Sequence, residues 1–233
     1  MPMKAMILAA GRGERMRPLT DTVPKPLLVV GGKPLIVWHV ERLVRAGLRD
    51  IVINHAHLGG QIEAALGDGN SLGARIVYSP EPPGALGTAG GIANALPLLG
   101  YPPFVVINGD IWCDYDFDQV TEIAGRLQQR RQLAHLLLVA NPPHHPAGDF
   151  SLAVGRVAED GEPKLTFAGI GIYQRALFAS VPADGKAELA PLLRAAMREG
   201  RISGEYLRGR WVDVGTPQRL ATLDAELRAG AAD

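Results

Sequence analysis

Met6-Ile7-Leu8-Ala9-Ala10-Gly11-Arg12-Gly13-Glu14-Arg15-Met16-Arg17-Pro18 is the stretch that decides the fold. Met6 to Ala10 are continuously apolar, and the run stops at glycine. Continuous apolarity, unlike alternation, predicts a strand covered on both faces, as in a parallel sheet. Gly11 and Gly13 let the backbone approach a ligand closely and present N–H groups, which attract anions. Arg12, Arg15 and Arg17 add guanidinium groups, whose planar fork suits phosphate. Alone, the turn fits both an anion cradle and a glycine-rich strand-to-helix turn with arginines in solvent. Two familiar phosphate loops are excluded. Met16 stands where the dinucleotide fingerprint requires its third glycine, and Gly32-Lys33-Pro34 breaks the P-loop pattern.

Working outward, Pro34 opens a helical pattern in which Leu35, Trp38, His39, Arg42, Leu43 and Ala46 recur at threes and fours until Gly47. Strands are predicted at 51–53, 75–78 and 104–107, and helices at 61–66 and 88–99. This alternation predicts an α/β fold: a Rossmann-like, mostly parallel sheet with helices on both faces. In the second half, helices are expected at 117–130, 189–199 and 218–228. Strands are expected at 136–139, 151–157, 164–173, 205–207 and 211–212. Ligands of such sheets bind beyond the carboxyl ends of the strands. Gly11 to Arg17 and Asp110 both follow strands directly and should share one edge.

The chain has 233 residues, 47% of them hydrophobic and 21% charged, which suits one α/β domain with a real core. Its 24 basic and 24 acidic residues cancel, so nothing general attracts nucleic acid or an anionic membrane. A single cysteine, Cys113, precludes an intrachain disulfide and suits a reducing compartment. The N-terminal run reads as a first strand and not a signal peptide, and no apolar stretch reaches the roughly 18 residues a span needs. A cytoplasmic protein is expected.

Three further strings carry chemistry. Asp110, at the end of Phe104-Val105-Val106-Ile107-Asn108-Gly109, is a carboxylate at a strand end beside glycine, suited to a divalent cation or to a polar turn. Asp213 lies between Val212 and Val214, where a carboxylate needs a partner, either a metal ion or a nearby arginine. Leu86-Gly87-Thr88-Ala89-Gly90-Gly91 opens a helix with small residues on which a flat base or ribose can lie, or which pack against a neighbour. His55, His57, His144 and His145 lack further ligands at zinc-site spacing, so no zinc site is expected. His39 is expected to be structural and Cys113 inert.

Gly11-x-Gly13, Arg15, Pro18-Leu19-Thr20, Pro24-Lys25-Pro26, Asn108-Gly109-Asp110 and Trp211-x-Asp213-x-Gly215-Thr216-Pro217 together resemble the sugar-phosphate nucleotidyltransferase family. The resemblance spans nearly the whole chain. Asn54-His55-Ala56, Asp149-Phe150-Ser151-Leu152 and Leu165-Thr166-Phe167-Ala168-Gly169-Ile170 resemble the small uridylyltransferases acting on N-acetylmuramate 1-phosphate, a group serving bacterial cell-wall recycling. The resemblance implies one nucleotidyltransferase domain over 1–233, with a nucleotide-binding half at 1–115 and a sugar-phosphate-binding half at 116–233 that includes a small inserted sugar-binding lobe. It implies Arg15 and Lys25 as catalytic groups on the triphosphate. Asp110 and Asp213 would be ligands of Mg²⁺. Leu8, Ala9, Ala10, Gly11, Gly13, Glu81, Gly87 and Thr88 would bind the nucleotide. Glu81 stands near where many members carry a glutamine that reads a pyrimidine edge. Asn108, Asn141, Asp149, Glu162 and Gly169 would bind the sugar, although Ala168 replaces a common asparagine. Several members continue into a β-helix domain, which is not expected here.

The implied partners are a nucleoside triphosphate, most simply UTP, and a sugar 1-phosphate, with no nucleic acid or membrane, in a monomer or small homo-oligomer. The implied chemistry is in-line attack by a sugar-phosphate oxygen on the α-phosphorus, expelling pyrophosphate. No general base is needed, because a phosphate whose second pKa is about 6 is already anionic at neutral pH. Rival readings are mannose 1-phosphate with GTP, glucose 1-phosphate with dTTP, a non-catalytic sugar-nucleotide sensor, and a dinucleotide oxidoreductase disfavoured by Met16. A lactyl carboxylate would want a basic partner, for which Arg156, Arg201 and His144-His145 are candidates.

Overall fold

The computed structural model describes residues 2–182 and 185–230; Met1, where the first apolar run begins, lies outside them. In chain order the elements are β1 (Ala5–Leu8), β2 (Val29–Val30), β3 (Lys33–Pro34), α1 (Leu35–Arg45), β4 (Asp50–His55), α2 (Gly59–Leu66), β5 (Arg75–Pro80), α3 (Gly87–Leu99), β6 (Phe104–Asn108) and β7 (Ile111–Cys113). They continue with α4 (Val120–Gln129), β8 (Ala134–Val139), β9 (Phe150–Ala153), β10 (Arg156–Ala158), β11 (Lys164–Tyr173), α5 (Leu189–Arg198), β12 (Ile202–Tyr206), β13 (Trp211–Asp213) and α6 (Pro217–Ala229).

One sheet runs β5-β4-β1-β6-β11-β8-β12-β10-β9. β1 is parallel to β4 and β6, β4 to β5, and β8 to β12, while β11 runs antiparallel to β6 and β8. The carboxyl ends of β1, β4, β5, β6, β8 and β12 therefore share one edge with the start of β11. Side chains alternate across this sheet as the strand period requires. Ala5, Ile7, Ile51, Ile53, Val105 and Ile107 join the core shared with α1, α2 and α4. Met6, Val52, Val106, Leu136 and Leu138 join the core shared with α3 and α5. Both faces are covered, which is why β1 reads as an unbroken apolar run.

The α/β expectation holds, with local corrections. The apolar run forms a strand only to Leu8; Ala9 and Ala10 already belong to the turn. The stretch 151–157 is not one strand but the hairpin β9–β10, because Val154 (φ 49°) and Gly155 (φ 72°) both turn left-handed and set Ala153 opposite Arg156. Paired left-handed residues match the twist of a two-residue hairpin. The helix expected over 117–130 divides into a 3₁₀ turn, Phe117–Gln119, and α4. β2, β3 and β7, two or three residues long, are not expected from the sequence.

Candidate active site

The carboxyl edge opens into a cavity of about 420 Å³ lined by Leu8 to Gly11, Gly13 to Met16, Lys25, Asn54, Glu81, Gly87, Thr88, Asn108 to Asp110 and Gly215. A second cleft adjoins it, walled by Arg15, Asp110, His144, His145, Phe167, Gly169, Trp211 and Asp213. Arg15, Asn108 and Asp110 line both.

The first turn is shaped by its glycine. Gly13 is left-handed (φ 69°), and a Cβ there would stand 2.9 Å from Thr20 Cγ2. Thr20 Oγ1 donates to Gly13 O at 2.8 Å, and Met16, fully buried, anchors the 3₁₀ turn Glu14–Met16. The three arginines do not act alike. Arg12 donates to Thr20 O at 2.9 Å, touches His57 and pairs with Asp21, and Arg17 pairs with Asp21 at 2.8 Å. Only Arg15 of the three lines the cleft.

Lys25 is 8% exposed and sits between Pro24 and Pro26. A buried ammonium requires a partner, and Lys25 Nζ donates to Asp110 Oδ2 at 2.9 Å. Asp110 follows Gly109, where a Cβ would come 2.5 Å from Leu8 O. β7 then pairs antiparallel with β13, setting Ile111 opposite Asp213, and Val214 N donates to Asp110 O at 2.9 Å. The ribbon continues through Asp114 N to Arg210 O at 3.1 Å and Arg210 N to Asp114 Oδ1 at 2.8 Å. Two carboxylates distant in sequence thus face one cleft. Asp213 Oδ2 lies 3.1 Å from both His144 Nε2 and Arg219. Among the described residues no group of three His, Cys, Asp or Glu side chains forms a metal cage. Two carboxylates without thiols suit a hard divalent cation whose remaining ligands are water and phosphate oxygens, so Asp110 and Asp213 are the residues that could hold one.

His39, on α1, supports this ribbon from behind. Its Nε2 bonds Ile111 O at 2.8 Å, and burial lowers its pKa to about 4, keeping the ring neutral. Burial pushes the Cys113 thiol up to about 11, so it stays protonated and unreactive.

The opposite wall carries Asn54, which sequence reading did not single out as a site residue. Its Oδ1 accepts from Ala9 N at 2.9 Å and its Nδ2 donates to Glu81 Oε1 at 2.6 Å. Glu81 Oε2 accepts from Leu86 N at 2.8 Å. Both carboxylate oxygens are committed to positioning the first turn and the start of α3. Gly87 (φ 72°) and Thr88 line the cleft, while Ala89 N and Gly90 N donate to Ala187 O, so the small residues both face the cavity and pack on a neighbour. Glu81→Gln supplies one acceptor where two donors need one, and should cost roughly 1–3 kcal/mol. Thermal denaturation should show the midpoint falling by several degrees; an unchanged midpoint would show that Glu81 has no such scaffolding duty.

In the second cleft, Asn108 and Gly169 lie together, and a Cβ at Gly169 (φ 73°) would stand 2.7 Å from Asn108 Nδ2. Asn141 is committed internally, donating to Pro146 O and Lys164 O and accepting from Thr166 Oγ1. Asp149 accepts from Phe167 N at 2.8 Å and bonds His145 at 3.0 Å. Glu162 accepts from Lys164 N in an exposed turn and is not brought to either cleft. Sequence reading missed Trp211 as a cleft residue; its Nε1 donates to Ala168 O at 2.8 Å.

Arg15, Lys25, Asp110 and Asp213 thus gather at one sheet edge, around two adjoining clefts. The profile of the Nucleotidyl transferase family matches residues 4–230, and the chain belongs to that family. It is 58% identical to the N-acetylmuramate α-1-phosphate uridylyltransferase of Neisseria meningitidis, over 98% of this chain and 99% of that one. It is 38% identical to the protein of the same name from Caulobacter vibrioides, over 97% of each. A solved chain from Bacillus anthracis, provisionally assigned as a glucose-1-phosphate thymidylyltransferase, superposes with a TM-score of 0.85 at 25% identity, covering 97% of this chain and 96% of that one. The family acts on nucleoside triphosphates and sugar phosphates and generally uses a divalent metal. No helix among the described residues is long and apolar enough to cross a membrane.

Proposed function

We propose that this chain transfers the uridylyl group of UTP to N-acetylmuramate 1-phosphate, releasing pyrophosphate, in the cytoplasm and in the service of bacterial cell-wall recycling. One observation supports the two-substrate reading: Arg15 lines both clefts, a position that suits a cation serving two anionic substrates. The choice of substrates is supported by the 58% identity over nearly the full length of the Neisseria protein.

In this reading residues 1–115 bind the nucleotide and residues 116–233 the sugar phosphate, as one domain in a monomer or small homo-oligomer. Leu8 to Gly11 and Gly13 lie along the nucleotide, with Gly87 and Thr88 against the nucleoside. Arg15 and Lys25 hold phosphate oxygens and offset the repulsion between two anions, the largest obstacle to bringing the nucleophile in line. Asp110 and Asp213 would hold Mg²⁺, which when bound supplies charge neutralisation at the reacting phosphates. Asn108 and Gly169 face the sugar, while Asn141 and Asp149 act through the loop they hold. The nucleophile is a phosphate oxygen already anionic near neutral pH, so no side chain has to remove a proton.

Pyrophosphate release measured with UTP, GTP, dTTP and ATP against a panel of sugar 1-phosphates tests this. The highest kcat/KM is expected for UTP with N-acetylmuramate 1-phosphate. Preference for mannose 1-phosphate with GTP, or glucose 1-phosphate with dTTP, would replace the substrate pair; no release with any pair would sink the enzymatic reading.

A further inference from the structure

An N-acetylmuramate 1-phosphate differs from its unsubstituted counterpart by a lactyl ether that ends in a carboxylate, so a selective site needs a donor placed beyond the phosphate groups. Of the candidates, Arg156 lies on β10 with its guanidinium against Gly200, where a Cβ would meet it at 3.2 Å. Arg201 donates to Arg131 O at 3.2 Å and pairs with Glu199. Neither lines the clefts. The cation-capable side chains that do line the sugar-side cleft are Arg15, His144 and His145. Arg15 belongs with the phosphates, and His144 Nε2 is engaged by Asp213 at 3.1 Å. His145 remains.

The geometry points to His145 as the residue that recognises the sugar's carboxylate and thereby selects an acidic sugar 1-phosphate, an assignment that rests on the substrate reading above. Asp149 builds the position. Its Oδ1 lies 3.0 Å from His145 Nε2, and its Oδ2 accepts from Phe167 N at 2.8 Å, fixing the carboxylate to the start of β11. An ionised carboxylate only accepts, so Nε2 carries the proton of that bond. Nδ1 is left with no hydrogen-bond partner among the described residues. The loop beneath is stiffened: His145 N donates to Pro142 O at 2.9 Å, and Asn141 ties Pro146 O to Lys164 O. The ring then bridges Asp149 through Nε2 and the lactyl carboxylate through Nδ1. The ring is 41% exposed at its side chain, so the ligand reaches it without rearrangement of the core.

The test uses UTP with N-acetylmuramate 1-phosphate and with N-acetylglucosamine 1-phosphate, which lacks the lactyl group. The readout is the ratio of the two kcat/KM values in the wild type, His145→Gln and His144→Gln, with melting temperatures recorded for each. A charge-assisted hydrogen bond lost to the acidic substrate alone should lower the ratio in His145→Gln by roughly tenfold or more. His144→Gln, acting through Asp213, should lower both substrates together and leave the ratio. A wild type that prefers the acidic sugar and a His145→Gln ratio within about twofold of it overturns the assignment while the substrate reading stands. Loss of the ratio in His144→Gln alone also overturns it. A wild type without preference overturns the substrate reading itself, and this inference with it.

Discussion

Asp110→Asn should lower kcat/KM for pyrophosphate release by about a thousandfold, equivalent to roughly 4 kcal/mol of transition-state stabilisation. The substitution keeps shape and an acceptor oxygen, so Lys25 Nζ, now 2.9 Å from Asp110 Oδ2, retains a hydrogen bond. The backbone carbonyl that receives Val214 N is untouched. The side chain is 41% exposed, so little packing changes, but the buried Lys25 loses its counter-charge, and the melting temperature should fall by several degrees with a cooperative transition retained. What disappears is the negative charge, and with it one of two carboxylates available to a divalent cation. Asp213→Asn should behave in the same way, with Arg219 and His144 keeping an acceptor nearby. Activity within about threefold of wild type in either variant, at saturating magnesium, would remove that residue from the metal site.

Arg15→Ala should lose at least about a hundredfold in kcat/KM, with a fall in kcat as well as a rise in KM. A group that only bound one substrate would alter KM. Arg15 lines both clefts, and in the proposed reaction its cation serves both phosphates, so its loss is expected to be felt when the bond forms. Arg17→Ala is the matched control. Arg17 is 59% exposed at its side chain and pairs with Asp21 on the surface, an interaction worth about 0.3–0.5 kcal/mol. Its kcat/KM should stay within about twofold of wild type. Equal losses in the two variants would mean that the turn responds to charge in general and that Arg15 has no special place.

What was legible in the sequence, and what was not, follows from where the determining contacts lie. β1, β4 and β6 announce themselves because burial on both faces demands unbroken apolar runs. α1 does so through its threes-and-fours spacing. The β9–β10 hairpin hides because Val154, a β-branched residue, occupies a left-handed turn position at full exposure. Arg15 and Lys25 are named through the resemblance to the family, whereas Asp110, beside glycine at a strand end, and Asp213, between apolar residues, could be singled out locally. The commitments of Glu81 and Asn141 could not, since both depend on partners supplied by tertiary structure: Leu86 N and Asn54 for one, Pro146 O and Lys164 O for the other. Likewise, nothing local distinguishes Arg12 and Arg17 from Arg15; Asp21 does, by claiming the first two.

The β7–β13 ribbon has a consequence for how such a protein changes over time. Asp114 and Arg210 are bonded to each other, so the long stretch between them leaves and returns to the ribbon at one point. The spacing of Asp110 and Asp213 is set on the near side of that knot, by the pairing of Ile111 with Asp213. Lengthening a closed loop costs little, about 0.6 kcal/mol per doubling. The exposed turns on that stretch, the histidine loop and the Val154-Gly155 turn, can therefore lengthen at little cost, whereas β8, β11, β12 and α4 are held in the sheet and its core. Changes in those turns leave the pairing of Ile111 with Asp213, and so the spacing of the two acids, where it was.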